Sequence, residues 1–118
     1  MTRFPDRIRP FVDAEIRLAL DAEARGHFDT AFRHLEHAHV LGQRSTVHHV
    51  RTHWLMLRMA WRNGWTHEVA GQAWRVLAAA LFTPIGLVPT GNSGSATTSG
   101  FRPMPIPTPL QRLIDAAQ

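Results

Sequence analysis

The stretch ARGHFDTAFRHLEHAHVLG, residues 24–42, decides the fold. Gly26 interrupts one apolar-periodic run, and Phe28, Ala31, Phe32, Leu35 and Ala38 then recur at three- and four-residue intervals. That period puts them on one face of an α-helix from about Asp29 to Leu41, which Gly42 stops. A glycine-closed helix followed at once by another of similar length reads as a helical hairpin, two antiparallel helices sharing one buried seam.

Upstream, Phe11, Val12, Ile16, Leu18, Ala19 and Ala22 predict the partner helix, from about Pro10 to Ala24, with Pro10 in its first turn and Gly26 at its C-terminal cap. Downstream, a third helix is expected from Thr46 to Arg62, closed by Asn63-Gly64, with Val50, Trp54, Leu57, Ala60 and Trp61 facing the core. A fourth runs from about His67 to Phe82, with Thr66 as its N-cap and Pro84 just past its end. Its inward face should be Val69, Ala73, Val76, Leu77 and Ala80. No segment alternates as a strand.

Gly26-His-Phe-Asp-Thr-Ala31 and Gly64-Trp-Thr-His-Glu-Val69 form a weak internal repeat, and the first hairpin resembles a tetratricopeptide (TPR) helix pair. Two hairpins are too few for a solenoid. The expected architecture is therefore all-α: a four-helix bundle of two TPR-like hairpins in one domain spanning 1–118, with its helical core at about 10–83. Residues 84–118 change character. They are rich in proline and glycine and are expected to pack across the bundle through Ile85, Leu87, Val88, Phe101, Met104 and Ile106, ending in a short helix from Leu110 to Ala117.

Composition narrows the chemistry. The chain has 118 residues, 44% of them hydrophobic, enough for one core. It has no cysteine, which excludes disulfides and thiolate-bound metals within the chain. All thirteen basic residues are arginines and the net charge is +4. They are mostly scattered singly on expected polar faces with no nucleic-acid motif nearby, so no nucleic-acid partner is expected. No apolar run reaches the roughly 18 residues of a membrane span. A cytoplasmic protein with no membrane partner is expected, and homo-oligomerisation stays open.

Helical geometry also sorts the ionisable residues. Glu15 falls within the apolar arc of the first helix, and so does Glu23. His39 projects with the core face of the second helix, Glu36 lies at the edge of that face, and His34 and His37 point outward. His49 and His53, four residues apart, lie in the same broad inward arc of the third helix as Val50, Trp54 and Leu57 and stack along one face, while His48 points away. The fourth helix offers no inward ligand. Burying a bare carboxylate is costly unless it is paired or bound to a cation. Glu15, His39, His49 and His53 come from three adjacent helices and could share one transition-metal ion: zinc, iron, manganese, nickel or copper. Glu36 is the alternative carboxylate, because Glu-x-x-His is a spacing used by ligands in metal-bearing bundles.

Three segments carry a resemblance: Phe32 to Gln43, His49 to Leu57, and Gly86 to Gly94 running on to Met104–Pro107. Together they resemble a family of small bacterial proteins known as domain of unknown function 3703. Ser93 and Ser95 stand where that family often has threonine and glycine. The resemblance implies a compact bacterial helical domain and no particular activity, and the histidines that match it are His39, His49 and His53. Three functions remain in competition: a metal-dependent enzyme acting on a small-molecule substrate, a metal sensor or handling protein, and a non-enzymatic TPR-like interaction module. In the first, the Gly91–Ser95 loop would lie over the open side of the metal.

Overall fold

The protein is described by a computed structural model over residues 2–87, 91–96 and 102–118. It is all-helical among these residues: α1 (Phe4–Ala24), α2 (Phe28–Gly42), α3 (Thr46–Arg62), α4 (Thr66–Phe82), a 3₁₀ turn (Thr83–Ile85) and α5 (Thr108–Ala117). The helices pack as a bundle in which α1 pairs with α2, α3 with α4, and α2 with α3; α5 closes over α1 and α2. None of the described helices is long and apolar enough to cross a membrane.

The two hairpin turns are built alike. After α1 the amide of Gly26 bonds the carbonyl of Glu23 and that of His27 bonds Ala22; after α3 the amide of Gly64 bonds Trp61 and that of Trp65 bonds Ala60. This pattern needs a left-handed residue just past the helix end, and Gly26 (φ 78°) and Gly64 (φ 71°) supply it without a Cβ clash. The two helices that follow, α2 and α4, start 38 residues apart, at Phe28 and Thr66, and the two turns keep the same offset.

Helix α1 starts earlier than the sequence suggests. Pro5 occupies its first turn and Pro10 lies inside it, at the cost of one main-chain hydrogen bond. The early start buries Ile8 beside Val12, Ile16, Ala19 and Ala22. These residues pack with Leu35 and Ala38 of α2, Met56 and Met59 of α3, and Leu110, Ile114 and Ala117 of α5 to form the hydrophobic core. The Arg7 guanidinium donates to the carbonyl of Ala117, tying the two ends of the chain together.

Helix α4 contributes nothing to that core. Its buried residues are Glu68, Gln72 and Ala79, whereas Leu77 and Trp74 are exposed, as are Ala73 and Ala80. The expected inward face of α4 is thus turned outward. On α3 the outcome is divided: Ala60, His49 and His53 are buried as expected, together with His48, Thr52, Met56 and Met59, whereas Trp54 and Trp61 are exposed. Each helix presents its more polar side to the protein interior because a polar cluster is assembled there. In the C-terminal segment Ile106 packs on the core, but Ile85 and Leu87 are exposed; Val88 and Phe101 lie outside the described residues.

Candidate metal centre

Three imidazoles meet between α2 and α3. The Nε2 atom of His39 lies 3.0 Å from that of His49 and 3.1 Å from that of His53, and the latter two are 3.1 Å apart. The three nitrogens form a nearly equilateral triangle, and all three residues are buried. The register explains the convergence. His49 and His53 are one turn apart on α3, and His39 projects from α2, which packs against α3.

The far side of each ring is held by a polar partner. His39 Nδ1 lies 2.8 Å from the carbonyl of Asn92, His53 Nδ1 lies 2.7 Å from Gln72 Oε1, and His49 Nδ1 lies 2.6 Å from the Thr83 hydroxyl. A carbonyl only accepts, so His39 carries its proton on Nδ1. The Gln72 amide nitrogen donates to Glu68 Oε2 and to the carbonyl of Gly94, which leaves Oε1 as the acceptor and puts the His53 proton on Nδ1 as well. Both Nε2 atoms therefore present bare lone pairs to each other across 3.1 Å. A proton on His49 Nε2 could point at only one of them.

Two facing acceptors repel unless a cation lies between them. A proton is a poor candidate near neutrality. Burial, followed by the two neighbouring imidazoles, pushes His39 well below the ordinary histidine range. Burial, with His53 beside it, lowers His49 from 6.5 to about 3. Burial lowers His53 to about 4 against the opposing hydrogen bond to Gln72. The three nitrogens could hold a metal ion: imidazole nitrogens sharing one ion at about 2.0–2.1 Å stand about 2.8–3.4 Å apart for bond angles from about 90° to 109°.

The loop at residues 91–96 supports the cluster from behind. It engages His39 through the Asn92 carbonyl at Nδ1, the side away from the other two rings. Gly94 has φ 85°, and a Cβ there would stand 2.7 Å from the His39 ring, so this position has no room for a side chain. Helix α4 pins the loop. Glu68 accepts from the Ser95 hydroxyl at 2.5 Å and from the amide of Ala96 at 3.0 Å, and Arg75 donates to the carbonyl of Gly94 at 2.8 Å. These α4 residues escaped the sequence reading. Their signal was present: Glu68, Gln72 and Arg75 lie along the side of the helix opposite its alanine, leucine and tryptophan face.

Neither expected glutamate joins the three histidines. Glu15 Oε2 instead lies 2.7 Å from His34 Nδ1 and 3.6 Å from His37 Nδ1, in a half-exposed cluster between α1 and α2. The apolar arc of α1 faces α2, so the carboxylate at its rim meets the histidines of α2 and not those of α3. Glu36 is hydrogen-bonded to the Ser93 side chain, and burial pushes its carboxyl up. Glu23 pairs with Arg62 at 2.8 Å. His48, expected to point away, is fully buried, and its Nε2 lies 2.8 Å from the carbonyl of Pro5.

Fold and site together define a small all-helical protein with a buried cluster of three neutral histidines. The chain belongs to the family described as proteins of unknown function, DUF3703, whose model matches residues 6–114. No curated protein and no solved structure matches it.

Proposed function

We propose that this protein binds one transition-metal ion through Nε2 of His39, His49 and His53. The observation that carries the reading is the triangle of three Nε2 atoms 3.0–3.1 Å apart, with the opposite nitrogen of each ring held by Asn92, Thr83 or Gln72. Polar partners that hold a histidine at its other nitrogen are the usual outer support of a metal ligand: they fix the tautomer and raise its basicity. A set of imidazoles without a carboxylate suits zinc, copper, nickel or ferrous iron and makes manganese a poor fit.

Three protein ligands leave a position for water or a small exchangeable ligand. That arrangement serves a metal-dependent enzyme, and it also serves a sensor or handling protein. A second reading, a TPR-like interaction module, draws on the 38-residue repeat of the hairpins. Isothermal titration of chelator-treated, untagged protein with zinc, nickel and copper(II) separates the readings. The metal reading expects saturation at one ion per chain, and no binding after His49→Ala with His53→Ala. A wild-type chain that takes up none of these ions would leave the interaction module as the better account.

A further inference from the structure

The outer face of the α3–α4 hairpin is a second apolar surface. On α3 the residues Val47, Val50, Trp54, Leu57 and Trp61 follow one another at intervals of three and four, the spacing of a helix–helix seam. Trp54 is 50% and Trp61 75% exposed. On α4, Ala70, Trp74, Leu77 and Leu81 keep the same rhythm, with Trp74 56% exposed. The two stripes are continuous: Trp54, Leu57 and Trp61 line a shallow groove together with Val69 of α4.

The size of the face decides what it is for. At up to about 250 Å² per tryptophan, the three indoles alone leave roughly 450 Å² in water. With the half-exposed Leu77 and Leu81 beside them, the face exceeds the roughly 300–600 Å² of the largest patch on an ordinary monomer. It approaches the roughly 800 Å² per partner of a stable interface. Charge argues for the nature of the occupant. The exposed side of α4 carries one ionisable residue, His67 in its first turn, because Glu68 and Arg75 are turned to the 91–96 loop. Arg58 and Arg62 line the groove beside the tryptophans, and Arg62 is paired with Glu23. A mainly apolar two-helix face with seam spacing, its few charges beside the apolar stripe, can pack against a second copy of itself.

We infer that two copies of this chain associate through their α3–α4 hairpins, forming a four-helix layer about a two-fold axis. This conclusion is independent of the metal reading. The tryptophans are then the anchors of the interface.

Sedimentation equilibrium of the untagged full-length protein tests it. The expected mass is twice the 13.3 kDa of the chain. Trp61→Glu and Leu77→Glu, both at exposed positions, should each weaken association by roughly 30-fold or more. Combined, they should give the single-chain mass with an unchanged helical circular dichroism signal. Dilution of the wild type supplies a check that needs no variant: tryptophan emission should shift to the red as the dimer separates. A wild type that keeps the single-chain mass at its highest soluble concentration overturns the inference, including one whose tryptophans shift to the blue only on lipid vesicles. So does a dimer that both substitutions leave intact.

Discussion

At the scale of single residues, the account rests on where three protons sit. His39 and His53 are held with Nδ1 as donor, so their Nε2 atoms present lone pairs that His49 Nε2–H can satisfy one at a time. Replacing Gln72 by leucine keeps the bulk and removes the acceptor, freeing the His53 ring to change tautomer. Metal affinity should fall roughly 10–100-fold with the fold intact, measurable by competition with a chromogenic chelator. An unchanged affinity would mean that the outer hydrogen bond plays no part. Replacing both His34 and His37 by alanine should leave metal stoichiometry at one, because those rings belong to the half-exposed Glu15 cluster. The histidine trio was legible in the sequence because four-residue spacing on α3 and the core register of His39 both follow from helical geometry. The carboxylate was not, since an apolar arc says that a residue faces inward but not which neighbouring helix it meets. Glu15 meets α2.

At the scale of the helices, α4 is the informative element. Its polar side holds the 91–96 loop, and its apolar side faces out. Glu68→Ala removes the acceptor for the Ser95 hydroxyl and the Ala96 amide. Hydrogen exchange at Ala96 should then accelerate while the amides of α1 and α2 stay protected; equal protection in variant and wild type would contradict the pinning role. In α1, Pro10 interrupts the main-chain ladder in the second turn. Pro10→Ala restores a donor and should stabilise the protein by roughly 1–3 kcal/mol in urea unfolding, and a loss of stability would show that the ring itself is needed. The first hairpin could be read from its sequence because Val12, Ile16, Leu35 and Ala38 are both apolar and buried. The second could not be oriented. Hydrophobicity selects the side carrying Trp54, Trp61 and Leu77, whereas the fold buries the side carrying His48, Thr52, Glu68 and Gln72. Its limits, Thr46–Arg62 and Thr66–Phe82, were nonetheless readable from Asn63-Gly64 and Pro84, since punctuation residues act locally and do not depend on which face is covered.

At the scale of the whole molecule, one ion would join α2 to α3 and, through Gln72 and Thr83, to α4 and the turn after it. Its binding then adds to folding stability by mass action. Acid should oppose this stabilisation by two routes. The unfolded chain takes up protons on these histidines near pH 6.5, whereas folded His53 does so only near pH 4 and His49 near 3. The unfolded state therefore binds more protons in between, so stability is full above about pH 6.5 and falls as pH drops through that value towards 3. Protons also displace the metal, because only neutral imidazole coordinates. Melting temperature should fall from neutral to mildly acid pH, and a chelator should lower it at neutral pH but not in acid. A chelator without effect on protein shown to contain metal would remove the structural role of the ion. The most direct measurement is elemental analysis of untagged protein after exposure to zinc, copper, nickel and ferrous iron followed by exhaustive dialysis, beside the His49→Ala, His53→Ala double variant. The account predicts about one transition-metal ion per chain in the wild type and none in the variant. Equal metal content in the two proteins, or none in either, would contradict it.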